Sequence, residues 1–217
     1  MKSVELQDKL NIELGKYFLN IPIYIKSVHK QHFLNNAINE VFNKYYENFK
    51  EGGKVRSKLA SLIKKVEITA SNPDTSVDTN GIFFKLPEKV YHTIEEYIKY
   101  DGRFIPLKAI DYGYYNVNIN NTRRKPYKNL FWRLDMGDGD TTTKSTIREI
   151  IHDGSVTDLN LFTYHILYIK RPEAVDIKNN TFVDLGYKPL KEAISLAANM
   201  IYNYYTPNKQ ETNSNQN

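Results

Sequence analysis

The chain contains no cysteine among its 217 residues. That excludes disulfides, cysteine-ligated metal sites and thiol nucleophiles, and it suits synthesis in a reducing cytoplasm. No apolar run approaches the roughly 18 residues that span a bilayer. Glu5 and Asp8 also interrupt the N-terminus where a signal peptide has its apolar stretch, so a soluble, non-exported protein away from membranes is expected. Tryptophan occurs once and methionine three times, whereas tyrosine occurs 17 times and phenylalanine 10 times. Tyrosine can face a core or a partner, so this excess points to extensive interfaces. Neither sign of charge dominates: 30 Lys and Arg against 25 Asp and Glu leave a net +5 spread along the chain. That balance is compatible with nucleic acid nearby and does not require it.

Catalytic signatures are missing as well. The sequence holds no Gly-rich phosphate loop, no Gly-x-Ser-x-Gly elbow and no His-Glu-x-x-His helix. The five histidines are His29, His32, His92, His152 and His165. His29 and His32 lie three apart on a predicted helix, but two imidazoles without a carboxylate do not make a metal site. His152 and Asp153 are sequence neighbours at a strand end, which sends their side chains to opposite faces and reads as a turn. The acidic loop Asp135-Met136-Gly137-Asp138-Gly139-Asp140 mimics part of a calcium loop, with Asp138, Asp140, Thr142 and Glu149 at positions one, three, five and twelve. Thr143 stands at position six, where such a loop turns on glycine, so a solvated hairpin loop is the better reading. No enzyme, cofactor or metal is expected.

Periodicity supplies the elements that are present. Leu6, Leu10, Leu14 and Phe18 mark an apolar stripe on a helix over 3-19, which Asn20-Ile21-Pro22 ends. Phe33, Leu34, Ala37, Ile38, Val41, Phe42, Tyr45 and Phe49 make a wider stripe on a helix from Ser27 to Phe49, closed by Gly52-Gly53. Leu59, Leu62, Ile63 and Val66 continue helical spacing into a short helix or turn, followed by a polar loop over 71-76. From Ile82 the period moves towards two. Asp101-Gly102 sits between Ile94-Tyr97-Ile98 and Phe104-Ile105-Leu107, a strong hairpin signal that favours strand over helix in 88-99. Further strands are predicted at 130-134, 147-151 and 162-170, with a second turn at Asp153-Gly154 and Pro172 ending the last pairing. In that last strand Phe162, Tyr164, Ile166 and Tyr168 share one side while Thr163, His165, Leu167 and Ile169 share the other, so both faces are covered. Leu190, Ile194, Ala197, Ile201 and Tyr204 define a C-terminal helix with Pro189 in its first turn, and Ala193 and Ala198 let another helix approach closely.

The expected fold is α+β: a helical bundle of two N-terminal helices plus the C-terminal helix, with an inserted antiparallel β-rich module. Residues 1-70 form the N-terminal helical part, 80-172 the β-rich module and 173-205 the C-terminal helix packing back on the helical part. Residues 206-217, polar and without an apolar anchor, form a disordered tail.

Taken in order, these blocks resemble the ring, or head-to-tail adaptor, proteins of tailed bacteriophages, most closely those of the crAss-like phages. The elements are Phe33-Leu34-Asn35-Asn36-Ala37-Ile38-Asn39-Glu40, Leu59-Ala60-Ser61-Leu62-Ile63, the Leu86-Pro87 step and Asn121-Thr122-Arg123-Arg124-Lys125-Pro126. Tyr168-Ile169-Lys170-Arg171-Pro172 and the terminal Asp184-Leu185 with its helix complete them. The resemblance implies a structural virion protein without catalytic activity, assembled as a ring of twelve copies between portal and tail. Portal protein and neighbouring ring or tail proteins are the implied partners, and double-stranded DNA passes through the lumen. Arg123, Arg124, Lys125 and Pro126, with Tyr168, Lys170 and Arg171, are the candidate subunit or ring contacts. Two other readings compete: a phage-encoded regulatory protein binding nucleic acid through the basic segment 120-128, and an enzyme holding a metal in the 135-140 loop.

Overall fold

Leucines at positions 6, 10 and 14 are buried along helix α1 (Ser3–Tyr17), as their spacing requires. The computed structural model describes residues 1-18, 24-50, 58-70, 79-87, 90-138 and 146-206. They divide into two compact units: Met1–Leu62 with Pro172–Asn217, and Ile63–Arg171. The fold is α+β.

The first unit is helical. Helix α2 (Ser27–Lys50) buries Leu34, Ala37, Ile38, Val41, Phe42, Tyr45 and Tyr46, and α4 (Tyr187–Tyr205) buries Leu190, Ala193, Ile194, Ala197, Ala198 and Ile201. α4 packs on both α1 and α2, which barely meet each other. The small Ala193, Ala197 and Ala198 permit that double approach by keeping the helix surface low. Tyr202 of α4 meets the rings of Tyr17 and Phe18 at 5.4 and 5.5 Å. On the α2 side the Tyr45 hydroxyl donates to Glu192 Oε2 at 2.6 Å, and Lys44 pairs with the other oxygen of that carboxylate. Tyr204, expected on the apolar stripe, is 64% exposed.

The C-terminal helix begins only at Tyr187, and residues 172-186 before it are stitched to both N-terminal helices. The Ser3 hydroxyl donates to the Thr181 carbonyl at 2.9 Å, and Asn35 exchanges two hydrogen bonds with the Val175 backbone at 2.7 and 3.1 Å. Val183 and Met1 are also backbone-bonded, so the first turn of α1 is held by chain from the far end of the sequence.

The second unit is a seven-stranded sheet in the order β1-β7-β3-β4-β5-β6-β2. Its strands are β1 (Ile63–Thr69), β2 (Gly81–Lys85), β3 (Val90–Tyr100), β4 (Arg103–Ile110), β5 (Phe131–Asp138), β6 (Thr146–Ile151) and β7 (Thr163–Lys170). Two expectations are corrected. Ile63 and Val66, read with Leu59 and Leu62 as a short helix or turn, lie in the edge strand β1, which runs antiparallel to β7. The sheet is mixed, because β4 and β5 pair in parallel. A parallel pair needs a crossover, and the short helix α3 (Tyr112–Asn118) lies in it. Pro106 sits where β4 leaves β3 and joins β5: the β3 register ends at Tyr97↔Pro106 and the β5 register begins at Leu107↔Phe131. Proline has no N–H for a continuing ladder, so the changeover falls there.

Segment 88-99 was expected as strand; its described part, from Val90, is β3. The β3–β4 turn has Asp101 at φ 47° and Gly102 at φ 74°, the pair of left-handed residues a two-residue hairpin wants. The sheet curls enough that Phe84 of edge strand β2 meets Tyr164 of β7 at 5.2 Å and stacks on Phe162 at 6.0 Å. Phe84, Ile98, Ile105, Phe131, Ile150, Tyr164, Ile166 and Tyr168 fill the inside. Trp132, Leu134 and Ile151 form a smaller cluster with Tyr114 and Tyr115 of α3. The calcium-like positions Asp140, Thr142 and Thr143, the loop 71-76 and the tail from residue 207 lie outside the described residues.

Candidate functional site

The basic turn is built by α3 and the residues after it. Asp111 caps α3 by accepting from the Tyr114 N–H at 2.6 Å. The Asn121 carbonyl then accepts from the Arg124 and Lys125 N–H groups, both at 2.9 Å, while its side chain accepts from the Arg123 N–H at 3.1 Å. This asparagine-centred turn leaves Arg123, Arg124 and Lys125 exposed and buries Pro126 beneath them. Arg124 touches the buried Asn118 side chain at 3.4 Å. The result is an ordered cationic knuckle, with exposed Tyr127 and Lys128 beside it.

The other candidate contacts fall elsewhere. Tyr168 is fully buried in the core of the curled sheet, so its ring is committed to folding and not to a partner surface. Lys170 is half-buried, and the exposed Arg171 lies over the Tyr91 ring at 4.8 Å. β7 is antiparallel to β3 and β3 to β4, so Lys170 and Arg171 leave the sheet at the strand ends towards which β4 and β5 run. The basic turn feeds the start of β5, at the opposite strand ends. The two groups do not form one site.

One polar cluster went unanticipated. On the inner face, Glu96 of β3 bridges two arginines: Oε1 lies 3.2 Å from Arg133 Nε and Oε2 lies 3.0 Å from Arg148 Nη1. Asp135 closes the ring at 3.3 Å from Arg133 Nη2 and 3.0 Å from Arg148 Nε. Tyr164 donates to Glu96 Oε2 at 2.7 Å and accepts from Arg148 Nη1 at 2.6 Å, and Arg148 Nη2 donates to Thr93 at 2.8 Å. The side chains of Arg148, Arg133 and Glu96 are 3%, 10% and 11% exposed. Burial pushes the Tyr164 hydroxyl up; the Arg148 charge opposes this and the Glu96 carboxylate adds to it, so the phenol stays neutral. A cavity of about 360 Å³ opens beside the cluster between Val90, Thr93, Arg133 and Asp135. The register Asp135↔Arg148 and the alternation of Arg133 with Asp135 put these groups on one face. That alternation was the available signal; Glu96 and Tyr164 join only through long-range pairing.

Two arginines balance two carboxylates here, and the Tyr164 hydroxyl is held between Glu96 and Arg148. The arrangement fixes strands β3, β5, β6 and β7 to one another. Among the described residues no group of three His, Asp or Glu side chains is placed to hold a metal, and no helix is long and apolar enough to cross a membrane. His29 and His32 are exposed and bond to Tyr205 and Asn36. His152 accepts from the Gly154 N–H at 3.0 Å in the turn before β7.

A family model described as phage tail ring protein 3/4, of the crAss-like phages, matches residues 1–188. The chain belongs to that family. It is thus a structural component of an oligomeric phage tail assembly, in a family of tail proteins and not of enzymes. The match runs through both units of this tail ring protein and stops at the start of α4. No curated protein matches the chain.

Proposed function

We propose that this tail ring protein forms a closed ring of twelve copies in the connector between portal and tail. DNA passes through the lumen without sequence-specific contact. The family match over residues 1–188 carries this reading. A closed ring needs a head-to-tail contact repeated between neighbours, each burying on the order of 2,000 Å² or more. The exposed turn Arg123, Arg124 and Lys125 is a subunit or ring contact in this reading, since a fixed cluster of cations can meet a neighbour's carboxylates. Lys170 and Arg171 belong to a second contact at the opposite strand ends of the sheet, and the portal and adjacent ring or tail proteins lie above and below.

Negative-stain imaging of the purified chain, alone and mixed with portal protein, tests the arrangement. Class averages with twelve-fold symmetry and an open centre are expected; a different symmetry, or particles without a lumen, counts against it. The same cationic turn is the observation that favours the runner-up, a phage-encoded nucleic-acid-binding regulator. That reading requires DNA affinity that falls with salt at a slope of about −0.9 per phosphate contacted.

A further inference from the structure

A ring of identical copies needs two different surfaces on each chain that complement each other. The helical unit presents one candidate. Between α1 and α4 runs a groove of about 220 Å³ where Ile12 is 70% exposed and Tyr187 is 69% exposed above the buried Ile194. Lys9, Lys16 and Lys191 rim it; Glu13 in its lining pairs Lys16 at 2.6 Å and Glu5 lies 3.6 Å from Lys9, which leaves the rim with one more cation than carboxylates. The Lys9 ammonium lies 5.5 Å from the Tyr187 ring centroid. The groove is apolar at its floor and positive at its rim.

The sheet unit presents the opposite. From His152 to Ile169 the chain has no Lys or Arg, and its acidic residues there are Asp153 and Asp158. Between β6 and β7 this stretch makes a 3-10 turn, Leu159–Leu161, on which Leu159 is 37% and Leu161 50% exposed. The turn is rigid. Asp158 Oδ1 accepts from the Asn160 N–H at 2.9 Å, the Thr157 N–H donates to the Tyr100 hydroxyl at 3.0 Å, and the fully buried Phe162 anchors its end. Isolated exposed leucines need no explanation, but two on a fixed acidic turn form a preorganised apolar knob, which binds at low entropic cost.

We propose that the Asp158–Leu161 turn of one copy seats in the α1/α4 groove of the next, leucines on Ile12 and Tyr187, the Asp158 carboxylate towards Lys9 and Lys191. Complementary charge and matched apolar surface on one chain select a second copy as the occupant. The contact is heterologous, the kind that repeats from copy to copy around a ring. It rests on the ring reading and adds the surface through which the ring forms.

The absence of cysteine gives a clean test. A chain carrying Leu159→Cys and Ile12→Cys together is oxidised under conditions where the unmodified chain assembles, and compared with each single variant. The expected result is a ladder of covalent dimers, trimers and higher species from the double variant only. Rings without a ladder overturn the contact and leave the ring reading standing. A fast-migrating monomer, bridged within one chain, also overturns it, because the turn then occupies its own groove. Failure of the unmodified chain to form rings even with portal protein present removes the reading and the contact together. As a second arm, Leu159→Ser with Leu161→Ser, both at exposed positions, raises the concentration needed for assembly by about tenfold or more with an unchanged unfolding midpoint. Unaltered assembly in that variant refutes the knob.

Discussion

Glu96→Gln removes the charge shared by two guanidinium groups that are 3% and 10% exposed. Removing one partner of a buried ion pair costs about 3–5 kcal/mol, because the other charge is left uncompensated. Asp135 remains 3.0 and 3.3 Å from the same arginines, but it is half-exposed and solvent screens it. The expected cost is therefore at the lower end, about 3 kcal/mol. For a unit the size of Ile63–Arg171, a fall of roughly 4 °C per kcal/mol lowers its unfolding midpoint by about 12 °C. Tyr164→Phe deletes only the hydroxyl between Glu96 and Arg148 and costs about 1 kcal/mol. Circular dichroism during heating, with urea titration as the check, reads both variants against the parent. The reasoning fails if Glu96→Gln costs less than about 1 kcal/mol, the range of an exposed pair, or less than Tyr164→Phe.

Phe84→Ala opens a cavity where the edge strand β2 closes the sheet on Phe162 and Tyr164. It destabilises the sheet unit by about 3–5 kcal/mol in urea titration. The Lys44 ammonium and the Tyr45 hydroxyl hold the Glu192 carboxyl below its ordinary value of 4.5. Its stabilising contribution is therefore complete above pH 4.5 and disappears as pH falls through the lower folded value. Glu192→Gln flattens that acid limb in stability measured against pH, and an unchanged limb rules the carboxylate out as its source. Converting Arg123, Arg124 and Lys125 to glutamate abolishes assembly in light scattering while the unfolding midpoint holds, since all three are exposed. Intact assembly excludes that turn from the contact.

The helices were legible because each buries one stripe: Leu6, Leu10 and Leu14 on α1, and Leu34 to Tyr45 on α2, fall where a 3.6-residue period puts them. The Asp101-Gly102 turn was legible because its chemistry is local. β1 was not. Leu59, Leu62, Ile63 and Val66 have helical spacing, yet the first two are the buried residues around a 3-10 turn and the others enter a ladder with β7, a hundred residues on. Tertiary pairing overrode the local period there. The parallel β4–β5 pair was hidden for a related reason: α3 is short, and Tyr112-Gly113-Tyr114-Tyr115 carries no amphipathic stripe to announce a crossover. Of the proposed contacts, Arg123, Arg124 and Lys125 lie on an exposed turn, whereas Tyr168 is buried in a core that forms only where the sheet curls to bring Phe84 onto Phe162, a pairing no local pattern announces. The Glu96 cluster draws on β3, β5, β6 and β7, so only the registers reveal it.

The most direct test of the ring reading is the solution mass of the purified chain, alone and with portal protein, by multi-angle light scattering. The account predicts a species of about 305 kDa for the chain, twelve times its 25.4 kDa. A chain that stays at 25.4 kDa with portal present contradicts the account.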